Sequence, residues 1–259
     1  MELIENSKAA SVAHSVGTLG DRHLESDDLL LGASLDWRRL SQIQDLGVRQ
    51  SVVTKSTNIL HQGQPAASFF VLFDGWGFKY KQLSDGRRQI LSFLLPGDPA
   101  TLSSLSPRPL NHSVQMLPSS VIGEFDIAAV RQIAAEDRDL QSCITATYEH
   151  EFARTDELAT NLGRRSAKER TAHLMLEFVT RLGLRGTVQD SSILMPLRQR
   201  HLADALGLTT IHVNRTLRAL RDDNLIDFRG GVLQILDRDR LVALANFDPA
   251  YLATGNPPE

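Results

Sequence analysis

Four side chains able to hydrogen-bond to flat partners recur in TTIHVNRTLRALRDD: His212, Asn214, Arg215 and Arg218, with apolar Ile211 among them. An arginine offers a rigid fork of donors, and an asparagine amide sets a donor beside an acceptor. Arg215 could give two parallel hydrogen bonds to guanine O6 and N7, Asn214 could pair with adenine, and Ile211 could touch a thymine methyl. Arginines alone on a helix are more often a solvated face. An exposed isoleucine between them serves solvation poorly, and this favours base reading.

Such chemistry needs a helix held from behind. On a wheel centred on Val213, Leu217 and Leu220 lie within about 40° at roughly 100° per residue. Ile211, Arg215, Arg218 and Asp222 lie opposite, with Asn214 on the flank. The preceding HLADALG has Leu202 and Leu206 four residues apart, a small Ala203 where a second helix must cross, and a stop at Gly207. Thr209 is placed to cap the second helix by accepting from an exposed N–H. Two helices, a glycine turn and an outward polar face predict a helix-turn-helix. Downstream, NLIDF and VLQIL flank Arg229-Gly230-Gly231, predicting a hairpin wing with Arg229 at its tip for a phosphate. Asp237 should cap a last short helix. Upstream, Ser166 and Glu169 have capping-box spacing and open the helix AKERTAHLMLEFVTRLG, with Leu174, Phe178 and Leu182 on one face.

The chain of 259 residues has ordinary globular composition, 42% hydrophobic and 23% charged, with net charge −3. The charge is uneven. Residues 163–240 hold 14 Lys and Arg against 9 Asp and Glu, so a basic third sits on an acidic body and points to a polyanion partner for that third. Cys143 is the one cysteine, which excludes an intrachain disulfide and any multi-cysteine metal site and fits the reducing cytoplasm. No apolar run reaches the roughly 18 residues of a membrane span, and MELIENSKAASVAHS does not read as a signal peptide.

Residues 1–28 read as a flexible polar tail, and DWRRLSQIQDLG (36–47) as a short helix. From Gln50 to about Phe125 the texture is short strands: SVVTKS, NILHQG, SFFVLFDG, GFKYKQ and RRQILSFLL, parted by Gly- or Pro-built turns. Asp85-Gly86 is a hairpin signal. This predicts an antiparallel sandwich or roll. A long helical segment follows, from Ile127 to Gly163. Leu140, Ile144, Tyr148 and Phe152 form a rough seam with Cys143 at its edge, and a thin apolar stripe on a long helix favours pairing with a second copy of the chain.

Together these segments strongly resemble the Crp/Fnr family of bacterial transcription regulators, over about residues 29–240. The resemblance rests on GLTTIHVNRTLRALRDDNLI, KSTNILHQGQPAASFFVLFDGW and RRQILSFLLPGD. It implies an α+β chain in five parts. These are the tail (1–28), a cyclic-nucleotide-binding-like antiparallel β-roll, or double-stranded β-helix (29–135), a dimerisation helix (136–163), a winged helix-turn-helix (164–245) and a C-terminal tail (246–259). The implied partners are a second copy and double-stranded DNA carrying a palindromic operator, half-sites about one helical turn apart. RNA polymerase is a further candidate partner, for which surface loops carry no readable signature. The family's base-reading places fall on Thr210, Ile211 and Arg215, and its phosphate-contacting places on Thr209 and His212.

The sensor half departs from the family's nucleotide binders. They follow the roll's Gly-Asp with Gly-Glu, for the ribose hydroxyl, and then with Arg-Ser or Arg-Thr, for the cyclic phosphate. Here Thr101-Leu102 occupy the first place and His112-Ser113 the second, with Arg108 the nearest permanent cation. Cyclic AMP binding in the usual way is not expected, and the four-cysteine iron–sulfur version is excluded by cysteine count. Cys143 reads as a small buried apolar residue rather than a redox switch. His150-Glu151 has no second histidine four residues on, so no HExxH zinc motif exists. The reading is a regulator with no catalytic residues, no metal and no cofactor. A cupin-like metalloenzyme and a ligand-binding module acting through protein contacts are the rivals.

Overall fold

The computed structural model describes residues 16–18, 48–184 and 192–252. The helix expected at 36–47 lies outside the described residues. The chain divides into two compact units, parting between Tyr148 and Glu149 with a short strand segment, Gln89–Leu91, grouped with the second.

The first unit contains two four-stranded antiparallel sheets. One has the order β1 (Val16–Thr18), β2 (Arg49–Val53), β8 (Ser120–Asp126), β4 (Ser68–Asp74). The other has the order β3 (Thr57–Leu60), β7 (Ser113–Met116), β5 (Gly77–Gln82), β6 (Arg88–Leu94). Strand β1 pairs Val16 with Val53, so part of the segment expected as a free tail is sheet edge. At the hairpin between β5 and β6, Gly86 takes φ +88°, a conformation open to glycine, and its N–H donates to the Leu83 carbonyl at 3.0 Å.

Alternation along β4 builds two cores from one strand. Phe69, Val71 and Phe73 join Leu102, Phe125, Val130 and Leu140 in one cluster. Leu72 turns to the other face, among Val53, Leu94, Met116 and Ile122. The first cluster is covered by helices α1 (Ile127–Glu136) and α2 (Arg138–Arg164). The continuous helix expected from Ile127 is therefore broken at Asp137. That carboxylate accepts from the N–H groups of Asp139 and Leu140 at 2.8 and 3.0 Å, which starts a new helix.

The second unit contains the rest of α2, then α3 (Ala167–Gly183), α4 (Gln199–Leu206), α5 (Thr210–Asp222) and α6 (Arg238–Ala245). Its antiparallel sheet has the order β10 (Ile226–Arg229), β11 (Val232–Ile235), β9 (Ser192–Leu194). The capping box at Ser166 and Glu169 is present in both directions. Helix α3 is buried on more of its surface than the expected single face. Met175, Leu176, Phe178 and Leu182 are buried, Leu174 is only half-buried, and His173 is fully enclosed. The stretch from Asn246 to Leu252, within the expected C-terminal tail, packs back on the unit. Phe247 and Leu252 are buried, the latter in a 3-10 turn, Pro249–Leu252.

Candidate nucleic-acid interface

Helix α5 is braced on one side and bare on the other. Val213, Thr216, Leu217 and Leu220 are buried. Thr210, Ile211, His212, Asn214, Arg215 and Arg218 are all exposed. Ile211 is 69% exposed, although burial of such a side chain stabilises by about 1.5–3 kcal/mol. Thr209 is the N-cap, and its hydroxyl accepts from the His212 N–H at 3.2 Å. That bond turns the first residues of α5 outward as an ordered turn.

The brace comes from α3 and α4. Leu202, Ala203 and Leu206 are buried. Gly207 closes α4 in the left-handed region at φ +62°, and a Cβ there would stand 3.3 Å from the Leu162 side chain. Arg170 reaches from α3 to donate to the Leu206 carbonyl at 2.9 Å. Lys168 pairs with Asp223, the C-cap of α5.

Two arginines hold local carboxylates at solvent. Arg218 lies 3.6 Å from Asp222, and Arg229 lies 3.0 Å from Asp227. Arg215 has no ion-pair partner among the described residues. Arg229 closes β10 at the hairpin tip, directly opposite Val232. In size and electrostatics this is a convex, ordered, donor-rich face about one helix wide. That suits a major groove, which admits a single helix.

The sequence matches the model of the Crp-like helix-turn-helix domain over residues 169–244 and that of the cyclic nucleotide-binding domain over residues 51–137. It is 32% identical over 214 residues to the nitrogen fixation regulation protein FixK of Bradyrhizobium diazoefficiens, covering 82% of this chain and 88% of that protein. The chain belongs to the Crp/Fnr family of transcription regulators. Electron transport regulator A of Shewanella oneidensis is 24% identical over 242 residues, 93% of this chain and 96% of that one. The solved structure of FixK2 from Bradyrhizobium japonicum has a TM-score of 0.70 at 28% identity, covering 76% of this chain and 96% of that chain. The α+β fold and the regulator function, with a helix-turn-helix DNA-binding domain, follow from these matches.

In this Crp/Fnr chain most residues expected at the places of a nucleotide pocket are buried. Leu102, where the family's binders have glutamate, is fully buried in the cluster with Val130 and Leu140. Thr101 caps the short 3-10 turn Leu102–Leu105, accepting from Ser103 N–H at 3.2 Å. Arg131 of α1 closes the other end, its Nε donating to the Leu105 carbonyl at 2.9 Å and its terminal nitrogen to Ser104 O at 3.1 Å. Ser113 accepts from the Gln62 N–H at 2.9 Å. His112 is buried, with Nδ1 2.6 Å from Asn111 Oδ1, whereas Arg108 stands exposed on a loop. Of the five residues, Thr101, Leu102, His112 and Ser113 are buried and Arg108 is exposed.

The expected seam of α2 is partly spent at home. Leu140 is 2% exposed inside the first unit's core, and Cys143, Ile144 and Tyr148 pack half-buried against the same cluster. Phe152 is 69% exposed. Steps of four carry the stripe round the helix, so its first half meets the roll and Phe152 points elsewhere.

Sequence reading missed one polar cluster, around His173 between α2 and α3, and the return of Phe247, Tyr251 and Leu252. The available signal was the apolar content of FDPAYL in a segment taken as tail.

Proposed function

We propose that this regulator is a homodimer that acts in the cytoplasm and reads a palindromic duplex operator through α5, without cyclic AMP. The observation that carries it is Ile211 held bare beside Asn214 and Arg215 on a capped, braced helix. Arg215 reads guanine through O6 and N7, Asn214 an adenine edge, and Ile211 a thymine methyl, with Thr210 beside them. Thr209, His212 and Arg229 take phosphates. Arg218 exchanges Asp222 for the backbone, a step that salt will oppose through counterion competition. Phe152 anchors the self-association face of α2. The roll serves as a packed body carrying another signal or none, since a ribose needs an acceptor where Leu102 sits and a cyclic phosphate needs a cation where His112 sits. No catalytic role is assigned to any residue.

Selection of bound sequences from a random duplex pool, with no ligand added, tests the reading. A two-fold symmetric consensus, lost with Arg215→Ala, is expected. Enrichment that survives Arg215→Ala would remove α5 as the reader. Titration calorimetry with cyclic AMP should give no heat of binding.

A further inference from the structure

The last turns of α2 and the first turns of α3 enclose a polar cluster that DNA reading does not use. Glu157, Asn161 and Arg165 follow at steps of four and share one side of the chain as it leaves α2. Arg165 stands in the joint between α2 and α3, its side chain 11% exposed. One terminal nitrogen donates to Glu157 Oε2 and to Asn161 Oδ1, both at 2.9 Å. The other donates to the Asn246 carbonyl at 3.3 Å. From α3, the enclosed His173 meets the same pair. Its Nδ1 lies 3.1 Å from Asn161 Nδ2, and its Nε2 lies 3.1 Å from Glu157 Oε2 without hydrogen-bond geometry.

The C-terminal segment lies over this cluster. Tyr251 stacks on the His173 ring at 5.9 Å, and Phe247 meets its edge at 5.0 Å. The Tyr251 hydroxyl donates to Glu177 Oε2 at 3.3 Å, and Glu177 also holds Arg181 at 3.2 Å. His150 of α2 lies 3.5 Å from the Tyr251 carbonyl.

The hydrogen-bond inventory fixes the protons. Arginine only donates, so Asn161 must turn its oxygen to Arg165 and its NH2 to His173. Nδ1 of His173 is then an acceptor, and the neutral ring's proton sits on Nε2, facing Glu157. A charged imidazole donates from both nitrogens. It would oppose the Asn161 NH2, and turning that amide over would take its oxygen away from Arg165. Burial, then the charge of Arg165, hold the His173 pKa below 6.5, against the opposing pull of Glu177 and Glu157. A folded pKa below the unfolded one means that His173's contribution to stability is full above about pH 6.5 and is lost as pH falls from there towards the folded pKa.

The joint matters because α3 carries the reader. Arg170 grips the end of α4, Lys168 grips the end of α5, and Leu162 of α2 packs against Gly207 in the turn. We propose that Arg165, Asn161 and His173 are positioning residues, a clasp that fixes the α2–α3 joint and so sets the direction in which a dimer presents its two copies of α5, with Asn246–Leu252 closing over it. This rests on the reading of α2 as the dimer helix and α5 as the DNA reader. An open clasp leaves each reader intact and loses only the spacing between them.

The test measures affinity of the full chain for the selected palindrome and for a duplex with a single half-site, from pH 8 to pH 5.5. The ratio of the two cancels pH effects on DNA contact that both duplexes share. In the wild type the ratio should fall as pH drops below 6.5. Arg165→Met should lower it about tenfold already at pH 8, since the second half-site is no longer met at high effective concentration. His173→Asn should keep it high and make it independent of pH. A folded, dimeric Arg165→Met with the wild-type ratio would overturn the clasp. If that variant does not assemble, His173→Asn decides, because a ratio still falling with pH overturns it equally. A wild type that binds neither duplex overturns the DNA reading itself, and the proposal with it.

Discussion

The two halves of this chain treat polar chemistry in opposite ways. In the helix-turn-helix, the apolar residues Val213, Leu217 and Leu220 go behind α5, and the polar face is left bare with Ile211 beside it. In the roll, the residues expected at the places of a nucleotide pocket are turned inward: Leu102 in a core, Thr101 and Ser113 spent on backbone N–H groups. One half keeps an unused surface at a cost in stability, and the other removes its surface in exchange for packing. A family likeness that covers both halves therefore carries different functional content in each.

The largest effect should come from undoing the roll's exchange. Leu102→Glu restores the family's carboxylate but sets a charge among Phe69, Phe125 and Leu140 with no partner. It should destabilise by about 3–5 kcal/mol, as an uncompensated buried charge does. Thermal unfolding would show it, and cyclic AMP should not raise the midpoint of wild type or variant. A rise in either would mean the pocket is still in use, and the contrast between the halves would collapse.

Next in size is Arg215→Ala, which should weaken operator binding by about 1–3 kcal/mol, the worth of one bidentate base contact. Its unfolding midpoint should not move, since the side chain is exposed and has no ion-pair partner among the described residues. Binding assays and thermal melts on the same preparation separate the two quantities. A variant that loses stability together with binding would make Arg215 a structural residue like those of the roll.

Legibility from sequence follows the same division. The face of α5 was legible because helical period and exposure are one pattern, and Gly207 and Thr209 mark its start with residue types that few alternatives explain. The strand runs and Gly86 were legible for the same local reason. Three features were not. The break at Asp137 depends on a carboxylate turning back on its own backbone, inside a run with helical rhythm on both sides. The packing of Leu140 and Ile144 depends on which neighbour reaches the stripe first, the roll or a second chain, and period alone does not choose. The His173 cluster joins residues from 157 to 251, and each of them alone reads as an ordinary polar or aromatic side chain.

A matched pair of caps gives a finer comparison. Thr101 and Thr209 each accept from a backbone N–H at 3.2 Å, one enclosed in the roll and the other at solvent. Loss of a cap costs about 1 kcal/mol. Thr101→Ala should cost more than Thr209→Ala, because water can take over at the exposed helix end and cannot at the enclosed one. Denaturant titrations with equal slopes would measure both. The reverse order would mean that Arg131 and the backbone bonds of the 3-10 turn hold it without the Thr101 hydroxyl.

The smallest stability effect belongs to the residue that carries the functional reading. Ile211→Ser removes an apolar side chain that touches little of its own protein, so unfolding free energy should stay within about 0.5 kcal/mol of wild type, as at other surface sites. Binding should behave otherwise. The selected consensus should keep the guanine met by Arg215 and lose preference for thymine at one position per half-site, because a serine hydroxyl accepts any neighbouring edge whereas a methyl contact favours thymine. Parallel selections with both proteins would read this directly. An unchanged consensus would move Ile211 off the base edges. Its exposure would then have to be explained by a protein contact, and the bare face of α5 would be serving two partners instead of one.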